Sequence, residues 1–271
     1  MRFSHTIPNL PSETVVEARK VYNIHHIYLR IGDQLETLLA ALDPRLLVPA
    51  GAPGNPTALR LALATAFQYA ERLPDPLAAE ATLKRMDWKY ALHLPVRHPG
   101  LTAEALGEFR QALFSFPSGL HEFGLLLEAL SPTGLFSKSQ SQALDALQAL
   151  DTVCQSTRVY WLNQHMRSAL SALAVTAPEW LRQNTQPHWY EHYRSSDAQP
   201  GEMFIDPQQE AQALGEDACR LLTAARQHPA LSMTALPEIN ELKNLCEKQF
   251  YRDESGFHWR LPGCLGCARN H

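Results

Sequence analysis

Long apolar runs are missing from this sequence. Nothing in it approaches the roughly 18 consecutive apolar residues of a membrane span, and its first residues show no charged-then-apolar leader pattern. Strand alternation is scarce too: apart from a short stretch at Gly256 to Leu261, no window alternates apolar and polar residues for long. There is no glycine-rich phosphate loop and no nucleophile elbow, and no internal repeat or low-complexity tract. Cysteine is sparse and odd in number, five among 271 residues, which argues against a disulfide framework and fits a reducing compartment. Excess positive charge is also lacking. The formal net charge is −4, so phosphate is not attracted by the chain as a whole, and a nucleic-acid surface would have to be a local basic patch. These absences lead us to expect a soluble, cytoplasmic protein with no membrane partner.

What is present is helix signal. Apolar residues make up 45% of the chain, enough for a packed core. Ser12 opens a short first helix, and Ile27 to Ala41 reads as a second. Asp43 to Pro56 is rich in proline and glycine and reads as a loop. Leu59, Ala62, Leu63, Ala66, Phe67 and Ala70 follow the i, i+3, i+4, i+7 spacing of one buried stripe. Asp75-Pro76 then predicts an N-cap and a first-turn proline for a helix running to about Met86. Thr102 caps a helix from Ala103 to Leu113, and Ser118 another from Gly119 to Leu130. Ser131-Pro132-Thr133-Gly134 reads as a domain boundary. Helical runs follow at Gln140 to Val153, Ser156 to Ala174, Pro207 to Gln227 and Pro237 to Phe250, with a weakly periodic polar segment from Gln183 to Asp206. The expected architecture is all-α, organised as an extension (1–25), a helical domain (26–131), a second helical region (132–255) and a Cys/His tail (256–271).

The helices on either side of Arg72-Leu73-Pro74 form a helix-turn-helix-like pair, an arrangement whose second helix commonly enters the major groove of DNA. The wording of this stretch is also specific: Gln68-Tyr69-Ala70-Glu71, Leu73-Pro74-Asp75, Ala78-Ala79-Glu80-Ala81, Asp87-Trp88-Lys89-Tyr90-Ala91-Leu92, and Leu106, Phe109, Arg110 and Leu113. Upstream stand Ile27-Tyr28-Leu29-Arg30 and Asp33-Gln34-Leu35. Downstream stand Arg158, Leu170 to Ala174, Ala177 to Leu181, Trp189, Tyr193 and Phe250 to Asp253. In this order the residues resemble the N-terminal helical domain and the start of the catalytic region of bacterial DDE-type insertion-sequence transposases.

The resemblance implies a module that contacts double-stranded transposon DNA or pairs protomers into a homodimer. Arg72, Lys84, Arg85 and Lys89, on or beside the second helix of the pair, are the expected phosphate contacts, and Thr82 the candidate for a base edge. In that family three carboxylates on an RNase H-type fold hold two divalent ions that stabilise the attacking and leaving oxygens of phosphoryl transfer. Alignment on Arg167-Ser168-Ala169-Leu170 brings Asp145 to the first of them. Ala146-Leu147-Gln148 follow it in place of the family's Ser, Thr and His, and a helical period replaces the expected strand. The remaining two carboxylates would fall beyond His271. A lone carboxylate cannot assemble a two-metal site, so no catalytic residue is assigned, and Asp145, Asp151, Asp206 and Asp217 are read as solvated acids. The expected function is a transposase-like, catalytically incomplete DNA-binding protein of the transposition and recombination class. The alternative is a helical protein-interaction scaffold, or a remnant without DNA binding.

Outside the resemblance, Cys264-x-x-Cys267 has zinc-knuckle spacing, with His258 and His271 close enough in sequence to complete an N₂S₂ set. A tail with two free thiols is the plain alternative. His188 and His192 lie at i, i+4 with no acidic partner at helical spacing. Trp161, Trp180, Trp189 and Tyr193 read as core or interface aromatics rather than a base-stacking platform.

Overall fold

A computed structural model of the chain describes residues 9–40, 42–47, 56–193, 207–228, 236–254 and 256–260. Among these residues the fold is all-α, with one two-stranded antiparallel hairpin as its only sheet. No helix among them is long and apolar enough to cross a membrane. The chain divides into two compact units, one ending at Cys154 and the other beginning at Gln155.

The first unit holds α1 (Ser12–Val21), α2 (Ile27–Asp33), α3 (Leu35–Leu38), α4 (Pro56–Glu71), α5 (Asp75–Lys84), α6 (Met86–Ala91), α7 (Ala103–Ser115), α8 (Pro117–Leu130), α9 (Lys138–Gln142) and the start of α10 (Ala146–Thr176). Helix α4 is central. Its predicted stripe of Leu59, Ala62, Leu63, Ala66 and Phe67 is buried, but so are Ala58, Leu61, Ala64, Thr65 and Gln68 on its other faces. A helix apolar all round is a core helix, and α4 packs on α5, α7 and α8. Phe67 meets Tyr28 and Trp88 edge to face, at centroid distances of 4.8 and 5.3 Å. Helix α2 crosses α6 at Gly32, where a Cβ would stand 2.6 Å from the Tyr90 ring and 2.9 Å from its carbonyl oxygen. Only glycine permits this approach. The Thr14 hydroxyl ties α1 to the chain after α6 by donating to the Leu94 carbonyl at 2.8 Å.

Three predicted boundaries move. The Ile27 to Ala41 helix breaks at Gln34 into α2 and α3. Helix α8 starts at Pro117 with Phe116 before it, so Ser118 lies inside its first turn instead of capping it. The gap expected between Val153 and Ser156 is uninterrupted helix, and the break falls instead at Ala143 to Asp145. Asp145 is the reason: its carboxylate accepts the Gln148 N–H at 2.8 Å, a side-chain cap at the head of α10. Thr102 caps α7 as expected, accepting from the Ala105 N–H at 3.1 Å. Ser131–Thr133 is a 3₁₀ turn within the first unit.

The second unit contains the rest of α10, then α11 (Pro178–Asn184), α12 (Trp189–His192), α13 (Pro207–Arg226), α14 (Pro237–Gln249), β1 (Phe250–Asp253) and β2 (Gly256–Trp259). Val159, Leu162, Met166, Ala169 and Leu173 recur every three or four residues along α10 and are all buried. Leu214, Ala218 and Leu221 of α13 and Ile239 and Leu242 of α14 complete this core. The hairpin pairs Phe250 with Trp259 and closes at Asp253–Gly256, in the segment where the sequence hinted at a strand. Phe250 and Phe257 stack at 4.7 Å over Gly215 of α13, where a Cβ would meet the Phe250 ring at 2.3 Å.

Candidate nucleic-acid interface

The turn between α4 and α5 passes through Arg72, whose φ of 56° is left-handed. The Leu73 N–H then donates to the Gln68 carbonyl at 2.9 Å. Asp75 was expected to cap α5, yet it is the first residue of that helix, with Pro74 in the N-cap position. It is buried at 5% exposure and faces Arg110 of α7, only 1% exposed. The two guanidinium nitrogens of Arg110 grip the two carboxylate oxygens of Asp75, one of them at 2.6 Å. The Gln68 amide adds a third donor to Asp75 at 2.7 Å. Burial works against the charge of Arg110, but Asp75 outweighs it and the pKa of Arg110 stands above its ordinary value. A bidentate pairing is what lets two charges survive out of water, although the Arg110 Nε stays buried without an acceptor among the described residues.

A second network lies beside it. Arg85, between α5 and α6, donates to Glu71 at 2.5 Å and to Asp87 at 2.8 Å. Its guanidinium also lies 5.3 Å from the Trp88 ring and 5.6 Å from the Tyr28 ring, within cation–π reach. Glu71 accepts as well from the Trp88 indole N–H at 3.1 Å and from the Tyr28 hydroxyl. Burial opposes the charge of Arg85, and the hydrogen bonds to Asp87 and Glu71 more than restore it, raising its pKa. The residues that carry the family resemblance thus meet one another in the interior of the helix pair.

This arrangement bears on the five expected DNA contacts. Arg85 is engaged as described. Lys89 is 3% exposed, and its amine donates to the carbonyls of Val96 and His98, the latter at 3.2 Å; burial lowers its pKa. Thr82 is buried, giving its proton to the Ala79 carbonyl at 2.8 Å and accepting the Leu101 N–H at 2.8 Å. Thr82 and Lys89 hold α5 and α6 to the loop that follows α6, while Arg85 ties α4 to α6. Lys84 projects into solvent, where it pairs with Glu80 one turn back at 2.5 Å, with 66% of its side chain exposed. Arg72 stands half-buried at the α4–α5 turn.

The loop itself supplies a cation that the sequence reading passed over. The backbone of Leu94 to Leu101 lies against the end of α5, with Gly100 packed close to the Leu83 backbone and the Thr82 hydroxyl. Between the two carbonyls clasped by Lys89 stands Arg97, exposed. Arg60 of α4 braces the start of the loop, donating to the carbonyls of Leu92 at 3.1 Å and His93 at 2.9 Å. Burial lowers the pKa of His98, and Arg60 and Lys89 lower it further; the Glu13 carboxylate accepts the Val96 N–H at 3.2 Å on the same loop. The available signal was the Pro95-Val96-Arg97-His98-Pro99-Gly100 string, a short proline-bounded segment too brief to read as a motif.

Elsewhere, Cys264, Cys267 and His271 of the expected zinc set lie outside the described residues. The fourth member, His258, sits 3.1 Å from Asp253 across the hairpin turn. Asp206 is likewise outside the described residues. His188 and His192 receive from α13 the acidic partners that their own helix lacks: His188 is 3.1 Å from Asp217, and His192 is 3.1 Å from Glu210. Asp217 is no solvated acid, since it is buried and also accepts from the Tyr193 hydroxyl at 3.0 Å. Among the described residues, no group of three or more His, Cys, Asp or Glu is placed to hold a metal ion. Of the four aromatics read as core or interface, Trp189 and Tyr193 are buried and Trp161 and Trp180 are partly so. Compared with known proteins, the chain matches no family model, no curated protein and no solved structure.

Proposed function

We propose that this chain is a transposase-like DNA-binding protein whose first unit contacts duplex phosphates through Lys84 and Arg97, with Arg72 as a third cation. The observation that carries the proposal is the clasp of Lys89 on Val96 and His98, which fixes the backbone on either side of the exposed Arg97. A pre-set cation loses less freedom on meeting a phosphate than one on a loose loop. The sequence resemblance supports the same reading, because its residues build the networks that fix α5 and this loop. With a net charge of −4, binding must come from such a patch and not from the chain as a whole. We assign the chain no reaction of its own: Asp145 caps α10.

Each phosphate contact adds roughly 0.9 to the slope of log affinity against log salt. Lys84→Ala with Arg97→Ala should therefore flatten the slope by about two in fluorescence anisotropy on a labelled duplex. Thr82→Ala, which removes no cation, should leave the slope as it was. An unaltered slope in the double variant would refute the proposal.

A second reading, a protein-interaction scaffold or homodimer without DNA, draws on Val16, Val21 and Ile24 in and just after α1. They are 54%, 70% and 64% exposed, where isolated apolar groups are ordinary but a neighbouring set is less so. A Val21→Lys variant with an unchanged sedimentation coefficient would dismiss protomer pairing through this surface.

A further inference from the structure

We infer that the second unit carries a site for a nucleobase joined to its phosphate, in a cleft of about 340 Å³ between α10, α11 and α12. The volume is at the small end of ligand pockets, suited to one nucleotide. Its floor is apolar, from Leu170 of α10 and Leu181 of α11, and its margin carries two guanidinium groups, Arg167 and Arg182. Arg182 is held in place by Glu179 at 2.9 Å, with 69% of its side chain still exposed. Tyr190, which also lines the cleft, is 62% exposed. A large aromatic left this open at the edge of a concave site is a stacking surface for a planar ring.

The second, independent observation is Trp189. It lines the same cleft at only 2% exposure, and its indole N–H is buried without an acceptor among the described residues. That N–H has no accessible surface of its own, so a guest in the cleft would meet the Trp189 ring and not its donor. An open ring for stacking, beside the guanidinium groups of Arg167 and the Glu179-paired Arg182, fits a planar group bearing a phosphate better than a simple apolar guest. The source is either a free nucleotide or an unpaired base within a strand. The inference rests on the DNA-binding reading for its biological sense but not for its geometry.

The test uses the full chain, isotope-labelled, and follows the Trp189 indole resonance by NMR, assigned through its loss in Trp189→Phe. Thymidine monophosphate at millimolar concentration should shift that resonance, and octathymidylate should shift it at lower concentration if the site reads strands. Tyr190→Ala should weaken either ligand by roughly 5- to 150-fold, the worth of one base stacked on an aromatic ring. Tyr190 is exposed enough for its removal to leave the fold intact, which an unchanged thermal melting curve would verify. A resonance unmoved by both ligands, affinity unaffected by Tyr190→Ala, or benzoate binding as tightly as the nucleotide would each overturn the site. Duplex binding through Lys84 and Arg97 is read separately by its salt slope, so either proposal can fail alone.

Discussion

In the first unit, the short helix α5 is fastened by the buried pair of Asp75 and Arg110. In the second, α12 is fastened to α13 by His188 on Asp217 and His192 on Glu210. The first kind of fastening is buried and bidentate. The second is partly exposed and graded, with 57% of the His188 side chain and 35% of the His192 side chain open to solvent. Buried pairs fix one geometry at a high cost if broken, whereas exposed pairs contribute little and can be tuned. The contrast suits a helix pair that must keep its shape and a short helix beside a cleft that can adjust.

The largest expected effect sits on the buried side. Arg110→Ala strands the Asp75 carboxylate out of water and should lower stability by about 3–5 kcal/mol in urea denaturation. Replacing both partners, Asp75→Leu with Arg110→Met, should recover most of it. A single-variant loss below about 1 kcal/mol would mean that the two kinds of fastening do not differ. Next comes Gly215→Ala, which drives a methyl into the Phe250 ring and should cost about 1–3 kcal/mol. Amide exchange should place that loss in α13 and the hairpin, leaving α5 protected.

The pH dependence is smaller. The hydrogen bond that His192 donates to Glu210 raises the histidine's pKa above 6.5, with burial acting against it. A raised folded-state pKa gives stability that is fully present below the unfolded value and is lost as pH rises through the folded one. Amide protection in α12 should therefore fall as pH climbs from below 6.5 through the raised value, by no more than about 1 kcal/mol for a pair this exposed. His192→Gln should remove the dependence. Smallest of all, Lys84→Gln breaks only the surface pair with Glu80 and should move stability by less than about 0.5 kcal/mol, so its effect on DNA binding can be read without a folding correction.

Helix type and placement were legible because they depend on local periodicity and caps. Thr102, the stripe on α4 and the proline starts of α13 and α14 all act over a few residues. The site was less legible. Lys89 and Arg85 look like surface cations in sequence, since nothing local tells that Val96, Glu71 and Asp87 will be waiting for them. Asp75 reads as a cap because its partner Arg110 lies 35 residues away. The histidines of α12 appeared unpartnered for the same reason: Glu210 and Asp217 are seven apart on α13, two turns of one face, and only tertiary packing brings them round. Long-range pairing is the information that a single sequence carries least directly.

The contact at Gly32 has a consequence for descent. Any side chain there would strike both the ring and the main-chain oxygen of residue 90, so shrinking the tyrosine relieves only half of the collision. Among descendants of a common ancestor, position 32 should stay unsubstituted unless the first unit's second and sixth helices have drifted apart, which makes this pair of positions a marker of kinship that outlasts overall sequence identity.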